Sequence, residues 1–442
     1  MRVIKTFDGG VNVDKLLEKE SSVTDLPPLP TYIIETGMNS LSRQHACADY
    51  VKYKIIPNGK FDKALQVLDN GRGMNYEIFK EYHKCYSKTS FPRIHDINFR
   101  GMGDKGMLLR VRNIFTETKQ MGKHYASRWS FNPDTQNTKV EIIDTVGIKS
   151  EILNTGTCIT ANLKELLDIE ILNEQYLTSL IQHHFVGVLL GEYGDLKILF
   201  EDETGTVKQI TGKYPHPKEY KKHYIRTLDK IGDWVDEKHP EDNGHYPPKC
   251  MFFYSDEPLP DEDCGIWIIV GKKTICRMEN WFGLFPKEQQ NHIRGYIIAD
   301  YLVDTTVNAG KDGLKSNSKK YKEFYQEAGK EWGKFLNTIE VPVEKPIVEE
   351  DTLKVVDKVA EEMSALIKNK WDKINLLTKK KKTVVTTDGT IVEPIPPKEC
   401  PECHSIKQIA LRSMVEDTVE DEINGVKTDK QAIFYEYFGD FK

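Results

Sequence analysis

One short apolar run that passes without a break into Asp69-Asn-Gly-Arg-Gly73 constrains this chain more than any other feature. Tyr50–Ile56 and Ala64–Leu68 flank the turn-forming Pro57-Asn-Gly-Lys60, so they are expected to form a hairpin. The glycines end its second strand sharply and leave a carboxylate at the strand tip beside bare backbone. A carboxylate so placed can accept from the amino group of a planar base, because glycine lets the base approach closely. A glycine turn with no ligand is the plainer reading of the same residues.

Three other stretches bear on that choice. From Tyr32 to Ala48 the apolar residues Ile33, Ile34, Met38, Leu41 and Ala48 are spaced as on an amphipathic helix, starting after Leu26-Pro-Pro-Leu-Pro30, which is too proline-rich to be helical and is expected to be an arm or strap. Glu35 and Asn39 lie four residues apart and so emerge on one face of that helix. A carboxylate can orient a water for attack on a phosphoanhydride, and an amide oxygen can hold Mg²⁺ against phosphates. Alone, such a pair equally describes a solvated helix face. Gly101, Gly103 and Gly106 precede the apolar Met107-Leu-Leu-Arg-Val111, expected to be helical, so successive N–H groups at its start can cradle phosphate oxygens. Gly156-Thr157 enters the strand Cys158-Ile-Thr-Ala-Asn162 with a hydroxyl that can reach the base or a water on Asp69.

The order and spacing of the four stretches resemble the GHKL superfamily, shared by gyrase-like topoisomerases, heat-shock chaperones, histidine kinases and MutL. Its N-box matches Glu35-Thr-Gly-Met-Asn39, its D-x-G-x-G box Asp69, Gly71 and Gly73, its glycine-rich lid Phe99-Arg-Gly-Met-Gly-Asp-Lys-Gly106, and its G-T motif Gly156-Thr157. The resemblance implies an α+β fold, a Bergerat-type α/β sandwich, that holds ATP between helices and sheet. Asn39, Asp69, Gly71, Gly73, Met74, Gly101, Gly103, Lys105, Gly106 and Thr157 would contact the nucleotide, Asn39 would ligate Mg²⁺ and Glu35 would drive hydrolysis. The lid departs from the commonest family patterns at Asp104-Lys105.

Organisation along the chain gives four expected parts: 1–171 for ATP binding, 172–317 as a second α/β domain, 318–382 as a helical or coiled-coil region, and 383–442 as a tail. Ile293-Arg-Gly-Tyr-Ile-Ile-Ala-Asp300 followed by Asn308-Ala-Gly-Lys-Asp-Gly-Leu-Lys315 looks similar to the end of the transducer domain of the topoisomerase, MutL and MORC branches. That likeness makes Lys311, then Lys315, the candidate to reach the terminal phosphate. Val356, Val359, Met363, Leu366 and Trp371 through Leu377 mark a long amphipathic helix.

Layout favours a compact clamp over a histidine kinase or chaperone, because little chain precedes Glu35 and little follows Lys315. The resemblance to the MutL, MORC and type IIB topoisomerase branches implies a homodimer closed by ATP, acting in DNA transactions and, by extension, in genome or anti-phage defence. A chaperone-like switch that grips a protein partner is the alternative. No tyrosine nucleophile can be picked out among the 20 tyrosines and no nuclease module is evident, so a partner subunit would have to cut DNA.

The formal charge of -6 gives no overall attraction to nucleic acid, leaving local basic stretches at 119–128, 213–226 and 379–382. No run approaches the roughly 20 apolar residues of a membrane span. Eight scattered cysteines suggest a reducing compartment, cytoplasm or nucleus, although Cys400 and Cys403 form half of a zinc site that needs four ligands.

Overall fold

Strands with apolar side chains on one face assemble into a nine-stranded sheet. They are β1 Val3–Asn12, β2 Tyr50–Pro57, β3 Lys63–Asp69, β4 Val111–Gln120, β5 Lys123–Asn132, β6 Asn137–Ile143, β7 Gly156–Leu163, β8 Lys197–Glu201 and β9 Val207–Gln209, in the order β1-β6-β5-β4-β7-β3-β2-β8-β9. Every pair is antiparallel except β2 with β8. The computed structural model describes residues 2–12, 27–43, 45–57, 62–83, 93–94, 105–132, 137–278, 280–286, 288–305, 313–340, 343–344, 384–385 and 391–392.

One face of this sheet is apolar: Val51 and Tyr53 of β2, Leu65 and Val67 of β3, and Ile159 and Ala161 of β7 share a core with Leu29, Tyr32, Ile33 and Met38 of helix α1, Pro28–Leu41. Because successive strand residues alternate faces, that packing fixes the register of the central strands. Helices α2 (Tyr76–Tyr82), α3 (Leu166–Ile171), α4 (Glu174–His184) and α5 (Val186–Leu189) follow in sequence. A single helix is expected over 174–190; the chain instead breaks at Phe185, whose φ of -112° and ψ of 28° leave the helical region.

A second, five-stranded sheet comprises β10 (Lys222–Thr227), β13 (Lys249–Tyr254), β14 (Gly265–Val270), β15 (Lys273–Met278) and β17 (Ile293–Ile298), ordered β10-β13-β17-β14-β15, with β14 and β17 parallel. Short pairs β11 (Asp233–Trp234) with β12 (Gly244–His245), and β16 (Phe285–Pro286) with β18 (Val343–Glu344), decorate it. Helix α6, Lys319–Thr338, is capped by the Ser318 hydroxyl, which accepts from Tyr321 N–H at 3.1 Å, and packs Trp332 against Phe252 of β13 with ring centroids 5.3 Å apart. The fold is therefore mixed α/β, with both large sheets mixed. Met1–Ile347 is one compact unit; in Val348–Lys442 the described part is a strand pair, Val384–Val385 with Ile391–Val392. Strands β8 and β9, from beyond residue 172, belong to the first sheet.

Further sequence expectations need correction. Helix α1 starts inside the proline-rich stretch, at Pro28, and ends at Leu41 rather than near Ala48. Proline is tolerated in a first turn because N–H groups there have no helical acceptor in any case; Pro27 O already accepts from Thr31 N–H at 3.2 Å. Ahead of that stretch, Val3–Asn12 is β1, paired antiparallel with β6. The run after Gly106 is not an α-helix: Lys105–Leu109 is a single 3₁₀ turn and β4 begins at Val111, where Val111, Ile114, Thr116 and Thr118 favour extended backbone.

Candidate functional site

Three adjacent strands place Asp69, Thr157 and Thr118 abreast, the first pairing with the second across β3 and β7 and the second with the third across β7 and β4. All three are nearly inaccessible: Asp69 is 6% exposed, Thr157 7% and Thr118 0%. The Asp69 carboxylate is held from three directions. Its Oδ1 accepts from the Gly71 N–H at 2.9 Å and the Thr157 N–H at 3.1 Å, and its Oδ2 accepts from the Ser40 hydroxyl at 3.2 Å. Burial raises its pKa from 3.8 to about 6, partly opposed by the bonds from Gly71, Ser40 and Thr157. It is therefore ionised at neutral pH, and Oδ2 retains a lone pair after accepting from Ser40.

The loop beyond Asp69 is pinned on both sides. Arg72 N–H donates to Ala46 O at 2.8 Å, which ties the loop to the segment after α1. Met74 N–H donates to the Thr118 hydroxyl at 2.8 Å, and that hydroxyl donates to Gly156 O at 3.1 Å. Between them Gly73 has φ +68°, and a Cβ there would lie 2.0 Å from Lys119 O, so glycine is required for conformation and for space. Neither Ser40 nor Thr118 stands out in the sequence. The β-branched residues Ile114, Thr116 and Thr118 favour extended backbone, but nothing in the string singles out Thr118.

Glu35, 6% exposed, and the half-buried Asn39 occupy successive turns of α1 immediately before Ser40. Gly106 is buried at the 3₁₀ turn that packs against α1. Lys105 begins that turn. Gly101, Gly103, Lys311, Cys400, Cys403 and the 354–377 stretch lie outside the described residues. Lys315 is exposed, and its backbone N–H donates to Thr305 O at 2.8 Å. Among the described residues no group of three or more His, Cys, Asp and Glu side chains could hold a metal. A Mg²⁺ carried by phosphates needs few protein ligands, and one amide oxygen such as that of Asn39 fits this demand.

The fold and site together define a mixed α/β protein in which an aspartate, anchored at the end of a central strand, faces a helix carrying a glutamate and an asparagine. No protein-family model matches the chain, and no curated protein matches it in sequence. Among solved structures it is similar to the ATPase region of Saccharomyces cerevisiae topoisomerase II bound to ICRF-187 (dexrazoxane), at 13% identity and a TM-score of 0.45 over 72% of this chain and 87% of that one. Among the described residues no helix is long and apolar enough to cross a membrane.

Proposed function

We propose that this chain is a Mg²⁺-dependent ATP hydrolase of the GHKL type. The observation that carries the reading is Asp69: a buried carboxylate with one oxygen accepting from two backbone N–H groups and the other facing the helix that bears Glu35 and Asn39. Such a group recognises an amino donor on a flat base. Asn39 would hold Mg²⁺, which offsets phosphate charge when bound. Glu35 orients and deprotonates the attacking water, and its burial excludes competing solvent. Lys311 or Lys315 would supply positive charge at the terminal phosphate.

In this reading the nine-stranded sheet binds nucleotide, the five-stranded sheet transmits its state, and ATP closes a homodimeric clamp on DNA. The clamp's DNA role is favoured by the exposed Lys218, Lys221, Lys222, His223 and Arg226 along the outer strand β10 and the turn before it. A protein client is the second reading. It is favoured by Met121, Val146 and Leu153, which are 91%, 87% and 88% exposed in the turns flanking β4 and β7 at the Asp69 end of the sheet.

The test is ATP turnover by the purified chain with and without duplex DNA, beside Glu35→Ala. The hydrolase reading requires Glu35→Ala to bind nucleotide while losing at least about 100-fold in turnover. Absence of nucleotide binding by the wild type would refute it. Turnover raised by DNA supports the clamp, and turnover indifferent to DNA transfers the case to a protein client.

A further inference from the structure

Tyr53 stands at the middle of β2 with no solvent exposure, directly beneath α1. Its hydroxyl donates to Ile33 O at 2.9 Å. Burial keeps that phenol protonated far above its ordinary pKa, so it remains a donor throughout the working pH range. Ile33 O is the helical acceptor for the N–H four residues on, at Gly37, so the bonded turn encloses Glu35. The Thr36 hydroxyl lies 2.7 Å from Tyr32 O and 3.1 Å from Ile33 O, an arrangement that bends helices locally.

Gly37 completes the contact. A Cβ there would lie 2.2 Å from the Tyr53 hydroxyl oxygen and 2.9 Å from Phe185 Cζ, so the hydroxyl fills the space that any other residue's side chain would claim. Helix and sheet thus touch through an oxygen rather than through methyl groups, at the turn between Glu35 and Asn39. One turn further on, Ser40 meets Asp69 on the same face of the helix.

We propose that Tyr53 is a positioning residue that sets the depth of α1 over the sheet and, through it, the placement of Glu35 relative to a nucleotide anchored at Asp69. This rests on the hydrolase reading given above. Asp69 holds the base from the strand, whereas Glu35 is carried by the helix, so a change in helix depth alters the distance between recognition and chemistry. It leaves in place the contacts by which the strand end and its loop hold Asp69, from the Gly71 and Thr157 N–H groups. Turnover is far more sensitive than binding to such shifts, since a displacement of about 1 Å can cost roughly 100-fold in rate.

The test uses the full chain and its Tyr53→Phe, Gly37→Ala and Tyr53→Phe/Gly37→Ala variants, with ATP affinity, kcat and thermal midpoint measured for each. Tyr53→Phe is expected to bind ATP within about twofold of wild type and to turn over roughly tenfold more slowly. Gly37→Ala alone clashes with the hydroxyl. In the double variant the new methyl takes the hydroxyl's place, 3.5 Å from the ring carbon that bore it, and part of the lost kcat returns once Phe185 rotates away. A purely structural role predicts a lowered thermal midpoint with kcat unchanged, or affinity and kcat falling together; either outcome overturns the proposal. Wild-type chain that hydrolyses ATP no faster than Tyr53→Phe refutes the positioning role alone. Wild-type chain without any turnover removes the hydrolase reading and this proposal with it.

Discussion

Asp69→Asn is expected to stabilise the protein at neutral pH and at the same time to weaken nucleotide binding. The folded-state pKa of about 6 lies above the 3.8 of a solvated aspartate, so folding favours the protonated form. The sign follows from linkage: the stability contributed by this group is complete below pH 3.8 and is lost as pH rises through 6. At about 1.4 kcal/mol for each pH unit, ionised Asp69 costs the folded state about 3 kcal/mol at pH 7.5. Asparagine does not titrate, and the site accommodates it. Its Oδ1 can keep the Gly71 and Thr157 N–H donors, while its amide donates to the Ser40 hydroxyl, whose own proton then goes to Thr36 O, 3.0 Å away. Urea denaturation of both proteins at pH 4 and pH 7.5 measures the difference. It should be near zero at the lower pH and on the order of 3 kcal/mol in favour of Asp69→Asn at the higher. In the same preparations ATP affinity should fall roughly 100-fold, since the amide presents a donor to the base's own amino donor. A stability difference that does not change with pH would refute the reasoning, because desolvation of the charge is its sole source.

Thr118→Val keeps the shape of the side chain but leaves the partly buried Met74 N–H without its acceptor, so stability should fall by about 1–3 kcal/mol in chemical denaturation, with weakened ATP binding. Gly73→Ala must accommodate both φ +68° and a methyl group against Lys119 O. The conformation alone costs about 1–2 kcal/mol, and the clash displaces the loop, so a lowered thermal midpoint should accompany loss of nucleotide binding by titration. Unchanged midpoint and affinity in Gly73→Ala would mean that the loop is not the rigid seat described.

Glu35, Asn39, Asp69, Gly71, Gly73 and Thr157 were legible as candidates because each belongs to a short contiguous string whose local geometry carries meaning: a strand that stops at glycine, or a helix turn that brings residues four apart onto one face. The hairpin of β2 and β3 was legible for the same reason. Thr118 was not, since its position depends on β4 lying beside β7 in one particular register, and nothing in the string around it states its neighbour. The apolar run Met107–Val111 obscured the start of β4 further, because a short apolar run cannot be assigned to helix or strand by periodicity alone. Pro28 and Pro30 read as barriers to helix formation, yet the first turn has no acceptors for the N–H groups they lack.

Ser40 and Tyr53 show why a helical site read through one pair of residues is incomplete. At 100° per residue, Glu35 and Asn39 share one side of α1, whereas Thr36, Gly37 and Ser40 fall toward the sheet. The first set carries the chemistry proposed for the site. The second decides how close that chemistry lies to Asp69, through a hydroxyl from the strand at Gly37 and a hydroxyl from the helix at Asp69. Both contacts join residues far apart in sequence, Ser40 with Asp69 and Tyr53 with Ile33. Their energetic content is small beside the apolar core of Tyr32, Ile33, Val51 and Val67 that holds helix to sheet. Apolar packing is non-directional and tolerates a range of depths; a hydrogen bond about 3 Å long does not. The core therefore secures the association of α1 with the sheet, and the two hydroxyls define its position.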